Sequence, residues 1–462
     1  MGAVPRLPLA AEILVARAAG RLSRLAGTGG GTTVPGKLLW KLDPEAVDRL
    51  ARRLPQGSAL VSATNGKTTT TAMAAEILSP RFHLAHNSSG ANLVSGIAST
   101  LLQARDAELG LFEVDEAALP EVSRRLRPRA VCLGNLFRDQ LDRYGELELV
   151  AERWRGMTHE LPAAAALVVN GDDPQVGDLS RERDPRTRSV FGLDDPRHAH
   201  PELQHAADSK WCVRCGTPYV YAAAYVGHLG DYRCPACGHA RPPLDLSARQ
   251  IELEGRERVS FELATPEGTR RVRLPLPGVY NVYNALAAAA LARSLGASLA
   301  EICSGLERFS AAFGRFERIR IADKSLLMLL IKNPAGANEA IRTLLAGGAP
   351  TLVLAALNDE IADGRDVSWI WDVDFEPLLA GLETLVASGA RAAELALRFK
   401  YGGLEERAIS VVPSLEEGLD LALRLTPPGG ELVALPTYTA MLALRDLVAR
   451  RGFVRQYWER AA

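Results

Sequence analysis

Residues 58–73, SALVSATNGKTTTTAM, restrict this chain more than any other stretch, because an apolar strand passes through a turn of small residues directly into a helix. The Gly66-Lys67-Thr68 core of that turn has what a phosphate-binding P-loop needs. Backbone N–H groups and the helix N-terminus cradle phosphate, a lysine meets the outer phosphates, and a threonine hydroxyl can ligate magnesium. Lys67 is expected at a solvent-reachable loop. The match to the general pattern is incomplete, since Val61 stands where a glycine is usual, five residues before Gly66.

From Ser58 onward short apolar runs alternate with helical stretches: SALVSA, the helix after Lys67, then LGLFEV, AVCLGNL and AALVVN. This is the rhythm of a mostly parallel sheet wrapped by helices, an α/β fold. It stops between Cys212 and Cys237, and residues 251–276 then alternate like strands before an Ala-rich helix near Tyr280. After Phe313-Gly314-Arg315 a second α/β rhythm begins, with LLMLLI, TLVLAAL and ELVALP as its strands. At 462 residues the chain exceeds the ~100–200 usual for one domain. Three parts are expected: an N-terminal helix and Gly-rich lead-in at 1–56, a central domain at 57–312 with an insert at 208–241, and a C-terminal α/β domain at 313–462. Within the lead-in, GTGGGTTVPG at 27–36 is expected as a loop that is either flexible or closely packed.

Cys212-Val-Arg-Cys215 is followed by Cys234-Pro-Ala-Cys237, so four of the six cysteines fall within 26 positions. Two such knuckles can close a tetrahedral zinc site in a zinc ribbon, and four thiolates leave no open position, so the zinc is expected to be structural. Disulfides are the alternative, which a cytosolic setting disfavours. Cys132 and Cys303 read as buried cysteines, and neither sits in a Gly-x-Cys-x-Gly nucleophile elbow.

The formal net charge of -1 offers no basic field for nucleic acid. No run reaches the ~18–20 apolar residues of a membrane span, and no signal peptide opens the chain, so the cytoplasm is the expected compartment. Residues 7–25 carry apolar positions at helical spacing interleaved with Arg17, Arg21 and Arg24. That helix is expected to pack on its own protein, the alternative being a place at the membrane face.

Ala63-Thr64-Asn65-Gly66-Lys67-Thr68 resembles the Gly-Thr-Asn-Gly-Lys-Thr run of the Mur ligase family, with one methyl added at the leading glycine. The resemblance extends through Glu113 in LFEVDE, NLFRDQLDRYG at 135–145, Asn170-Gly171-Asp172-Asp173, Asn281-Val-Tyr-Asn284, and Gly314-Arg315-Phe-Glu317. It implies ATP held by Thr64, Asn65, Gly66, Lys67, Thr68, Thr69, Asn281 and Asn284, with Arg315 reaching phosphate from the C-terminal domain. It implies Mg2+ at Thr68 and Glu113. Taken alone, Glu113 reads as a strand-end carboxylate, and Asn281 with Asn284 as a helix cap.

Two departures point to one branch of that family. No lysine occurs between Lys67 and Lys210, where many members carry a carbamoylated lysine, and Leu329-Leu-Ile-Lys332-Asn333-Pro334 replaces Asp-x-x-His-Asn-Pro. With the four-cysteine insert, the GGGTTVPGK opening and NDEIADGRDVSWIWDVDFE at 358–376, these features resemble the MurT branch, the synthetase subunits of lipid II isoglutaminyl synthase. That resemblance implies ATP-dependent amidation of the D-glutamate α-carboxyl of lipid II through an acyl phosphate. Ammonia would come from a GatD-type glutaminase partner, whose Cys-His-Asp triad this chain completes with Asp366 in preference to Asp363 or Asp359. The Trp369-Ile370-Trp371 run is expected as an interface anchor or plain core. The competing readings are a stand-alone folylpolyglutamate-type amino-acid ligase and a non-catalytic P-loop and zinc-ribbon binding module.

Overall fold

The computed structural model describes residues 12–18, 20, 34–87, 90–139, 146–204, 207–310 and 315–454. Two sheets organise them. The first is nine-stranded and consists of β1 (Ser58–Ser62), β2 (Leu84–His86), β3 (Leu109–Glu113), β4 (Ala130–Leu133), β5 (Ala166–Asn170), β6 (Arg188–Leu193), β9 (Leu246–Glu254), β10 (Arg258–Thr265) and β11 (Gly268–Leu274). Its spatial order is β11-β10-β9-β6-β5-β4-β1-β3-β2, parallel from β9 to β2 and antiparallel across β9, β10 and β11. Strands β7 (Val220–Val226) and β8 (Leu229–Arg233) form a separate hairpin in the cysteine insert.

Strands β1, β3 and β4 are buried along their whole length, as parallel strands covered on both faces must be. One cover is the helix Val279–Ser294, whose alanines are buried on every side; small side chains let it lie close against the sheet. Strands β2 and β6 were not legible in the sequence: β2 has only three residues, and RSVFGL in β6 opens on charge after a polar stretch.

The second sheet is six-stranded, with order β12-β13-β17-β14-β15-β16. Its strands are β12 (Arg315–Ile321), β13 (Lys324–Leu329), β14 (Leu352–Ala356), β15 (Thr384–Ser388), β16 (Ile409–Val412) and β17 (Glu431–Pro436), parallel except for the β12–β13 hairpin. Of these, β13, β14 and β17 match the apolar runs LLMLLI, TLVLAAL and ELVALP.

Residues 34–36, expected as loop, instead open the helix Val34–Leu42. Pro35 is tolerated in a first helical turn, and Gly36 is pressed on its neighbour. A Cβ at Gly36 would stand 1.8 Å from the Ser95 carbonyl oxygen, and its N–H donates to Ser99 Oγ at 2.8 Å. Close packing is thus the reason for glycine there; positions 27–33 lie outside the described residues. In the opening segment, residues 12–18 are helical. Ile13 and Ala16 face the protein, Arg17 Nε donates to the Leu102 carbonyl at 3.1 Å, and Leu14 and Val15 are exposed. Arg21 and Arg24 lie outside the described residues.

Candidate active site

β1 lies between β3 and β4, and the chain leaves it for the β2 side before returning to β4 on the other. A crevice opens at the carboxyl end of a strand at such a switch, which is where residues 63–67 sit. Gly66 has φ 86°, a left-handed conformation, and precedes the helix Lys67–Leu78. A Cβ at Gly66 would stand 2.0 Å from Asn284 Oδ1, so glycine is required for shape as well as for backbone. Asn284 is held there by its own Nδ2, which donates to Asn281 Oδ1 at 3.0 Å, and by Thr70 Oγ1, which donates to Asn284 Oδ1 at 3.3 Å.

Asn281 donates from Nδ2 to the Pro277 carbonyl at 2.7 Å, while Gly278 is the capping residue of their helix. The pair therefore braces the P-loop and does not cap the helix. On the other flank, Asn135 Nδ2 donates to the Asn65 carbonyl at 3.0 Å and Asn135 Oδ1 accepts from Asn65 N–H at 2.9 Å. Thr64 Oγ1 accepts from Phe137 N–H at 3.0 Å. Thr68 and Thr69 occupy the first helical turn, Thr69 buried and Thr68 half-buried.

Lys67 departs from expectation: it is buried rather than solvent-reachable. Its Nζ donates to Glu116 Oε2 at 2.7 Å and to the Ala63 carbonyl. Burial works to lower its pKa, but Glu116, Glu113 and Asp115 outweigh that and hold the ammonium above its ordinary range. Glu113 ends β3 beside Val61 of β1, and its backbone is clamped by the Asn87 carboxamide, with bonds of 2.9 and 2.8 Å. Asp115 and Glu116 were missed in the sequence, although the acid run LFEVDE directly after a strand was visible. Trp154 Nε1 fixes Glu116 by donating to its carbonyl at 2.9 Å.

The C-terminal domain closes over this loop. Lys332 Nζ donates to the Thr64 carbonyl at 3.1 Å and pairs with Asp139. Asn333 and Asn65 exchange carboxamide bonds of 3.0 and 3.2 Å, and Asn333 Oδ1 also caps the helix Pro334–Leu345 through Gly336 N–H at 2.8 Å. Between the domains lies an open cleft, polar at Asn65, Thr69 and Lys332 and apolar at Val226, Leu229 and Leu276. A mostly apolar cleft with a few convergent polar groups at one end is the usual form of a small-ligand or cofactor site. Lys332 was noticed in the sequence only as a departure, not as a site residue. Arg315 opens β12, but its side chain, and with it the expected reach to phosphate, lies outside what is described.

The three candidate aspartates separate by environment. Asp363 is buried, accepts from Thr439 N–H at 2.8 Å and from Thr439 Oγ1, and has its pKa raised by burial. Asp359 pairs with Arg391 at 3.1 Å. Asp366 is exposed, accepts from Ser368 N–H at 2.9 Å, and is held below the usual carboxylate range by the Ser368 hydroxyl and that N–H together. Of the adjoining run, Ile370 is core, while Trp371 is 47% exposed.

In the insert, the four Sγ atoms of Cys212, Cys215, Cys234 and Cys237 lie within 4.8 Å of one another. The Cys212–Cys237 and Cys215–Cys234 sulfurs are 3.6 and 3.5 Å apart. A disulfide needs about 2.05 Å, whereas four sulfurs about 2.3 Å from one zinc stand about 3.8 Å apart. The donor set fits zinc. His239 ties the cluster to the central domain, with Nδ1 2.7 Å from Tyr219 Oη and Nε2 3.0 Å from Asp178. Protein purified without chelator is expected to carry about one zinc per chain. Cys234→Ser should lower zinc affinity by more than about 100-fold and lower the melting temperature with it. Elemental analysis finding no zinc in such a preparation would refute the assignment.

Residues 61–212 match the Mur ligase middle domain family and residues 330–441 the MurT ligase C-terminal family. The chain is 34% identical over 441 residues to subunit MurT of the lipid II isoglutaminyl synthase (glutamine-hydrolyzing) of Streptococcus pneumoniae, covering 94% of this chain and 95% of that one. It is 30% identical over 444 residues to the corresponding Staphylococcus aureus subunit, covering 95% and 97%. Among solved structures it resembles a pseudomurein peptide ligase type C from Methanothermus fervidus, with TM-score 0.69, 22% identity, and coverage of 87% of this chain and 80% of that one. It also resembles the Thermotoga maritima MurF ligase solved with ADP, with TM-score 0.60, 17% identity, and coverage of 91% and 86%. These two likenesses establish the shared fold.

Proposed function

The chain belongs to the MurT family of lipid II isoglutaminyl synthase subunits, and on that premise we propose that it is the ATP-consuming subunit that amidates the glutamate of lipid II in cell-wall synthesis. The observation that carries the chemistry is the convergence of Lys67 and Lys332, from different domains, on the loop that ends β1.

The two lysines would flank the transferring phosphoryl group and stabilise its charge. An oxygen of the α-carboxyl of D-glutamate attacks the γ-phosphorus, the bond to the bridging oxygen breaks, and ADP leaves. Ammonia then attacks the acyl carbon, the carbon–oxygen bond to phosphate breaks, and inorganic phosphate departs with the proton that the nitrogen gives up. D-isoglutamine results. The hard oxygen donors of Glu113 and Thr68 suit magnesium, which when bound would neutralise charge on the β- and γ-phosphates.

A GatD-type glutaminase would supply the ammonia, and the exposed Asp366 is the carboxylate best placed to orient its histidine. Near it the C-terminal domain exposes Ile361, Trp371, Leu397 and Tyr401, with the Trp371 and Tyr401 rings 6.0 Å apart. Exposed aromatic residues of this kind suit a protein interface. The acceptor is lipid-linked, which sets the reaction at the inner membrane face with the enzyme in the cytoplasm. Among the described residues no helix is long and apolar enough to cross a membrane.

The decisive experiment mixes the purified chain with a GatD-type glutaminase, lipid II, glutamine and MgATP. One ADP is expected for each isoglutamine formed, with ammonium salts replacing glutamine when the glutaminase is left out. ATP turnover that requires a free amino acid instead of ammonia would favour the stand-alone ligase, and no turnover at all the binding module.

A further inference from the structure

The wall of the cleft built by the helix Pro334–Leu345 carries a carboxylate that the phosphate machinery does not use. Glu339 lines the cleft and is 3% exposed, yet neither of its carboxylate oxygens meets a hydrogen-bond partner. Arg342 Nη1 at 3.7 Å and His200 Nε2 at 4.0 Å both stop short. Arg342 is engaged elsewhere, donating at 3.0 Å to the Tyr225 and His198 carbonyls and standing 3.0 Å from His200 Nε2. Burial, against the pull of Arg342, raises the Glu339 pKa to about 7. A buried acid left without donors is costly to a fold, and an external donor would satisfy it.

The position of Glu339 says which donor. Asn333, at the start of this helix, touches the P-loop through Asn65. Gly336 lies against Asn65 as well, since a Cβ there would stand 3.6 Å from Asn65 Oδ1. Glu339 follows one turn later on the same face, about 9 Å along the axis from Asn333 at ~1.5 Å per residue. A nucleotide whose outer phosphates sit on Gly66–Thr69 would lay its ribose and base along this stretch, against Val226, Leu229, Leu276 and Tyr280.

We infer that the Glu339 carboxylate accepts a hydrogen bond from the nucleoside half of the bound nucleotide, which makes it a specificity-determining residue of the cleft. The inference rests on the reading of the cleft as the ATP site. Two donors share the required chemistry, a ribose hydroxyl and the exocyclic amine of adenine.

Direct binding to the full chain at pH 8, where Glu339 is ionised, distinguishes them. The probes are the magnesium complexes of ATP, 2′-deoxyATP, 3′-deoxyATP and ITP, measured on wild type, Glu339→Gln and Glu339→Met. Wild type should disfavour either a deoxy nucleotide or ITP by about 10-fold or more, the worth of a hydrogen bond to a charged group. Glu339→Met, which lacks an acceptor, should bind ATP and that analogue equally, and Glu339→Gln should fall between. Loss of discrimination in the deoxy arms assigns the ribose; loss in the ITP arm assigns the amine. Without nucleotide, neither variant should melt below wild type, because no internal bond is removed. Should Glu339→Met prove unstable, Glu339→Gln still decides the matter. Unchanged ratios for all three analogues would overturn the inference and leave the ATP site standing. A wild type that binds no MgATP would overturn both.

Discussion

Lys67→Met is expected to lower ATP-dependent amidation by at least about 100-fold with either nitrogen donor, the usual scale for removing one preorganised charge from a transition state. The geometry adds a second signature. Lys67 is the cation inside a group of three carboxylates, Glu113, Asp115 and Glu116, so its removal leaves buried acids facing one another. The variant should therefore melt below wild type, and a further Glu116→Gln change should recover part of that stability without recovering activity. The lysine's stabilising effect does not titrate near neutrality. A raised folded-state pKa means the contribution is complete below the unfolded value of about 10.4 and fades only as pH climbs above it. Steady-state rates and thermal melts on the same preparations test both expectations. A folded variant with rates near wild type would remove Lys67 from the phosphate site.

Asp366→Asn should separate the two half-reactions. With glutamine as donor the rate should fall by ~10³- to 10⁴-fold, the scale seen when the orienting acid of a catalytic triad is neutralised. With ammonium salts it should stay near wild type, because the P-loop and Lys332 lie elsewhere in the molecule. The side chain is exposed and its bonds are local, to Ser368 two residues on, so the fold should tolerate the change. The matching control is Asp363→Asn, which disturbs a buried carboxylate that holds Thr439 and should cost stability with both donors. Equal loss with glutamine and with ammonia for Asp366→Asn would place that residue in the synthetase chemistry or the fold. Equal retention would hand the triad role to Asp359, Asp363 or the partner.

The parts of this architecture legible in the sequence are those where chemistry and backbone geometry are written side by side. SALVSATNGKT declares a strand, a positive-φ turn and a helix within a dozen positions, and Cys212 to Cys237 declare their cluster by spacing alone. What stayed hidden depends on contacts between distant segments. Nothing local marks Lys332 as a partner of the P-loop, because its carbonyl acceptor at Thr64 lies 268 positions away. Glu339 reads as an ordinary helical glutamate until the packing of His200, Tyr225 and Arg342 around it is known. The expected exposure of Lys67 failed for a similar reason, since its burial is imposed by Glu116 on the neighbouring strand's exit loop. Asn281 and Asn284 look like a cap at the head of a helix; only the tertiary fit shows Asn284 filling the space that Gly66 leaves open.

Gly66 and Asn284 compete for a volume that can hold a Cβ or a carboxamide but not both. Trimming Asn284 alone would make room yet forfeit the bond from Thr70, a residue 214 positions earlier. Enlarging Gly66 alone meets both the collision and a left-handed backbone. Each single change therefore carries its own structural cost, and glycine at 66 with asparagine at 284 is a pairing in which each residue's size is set by the other's.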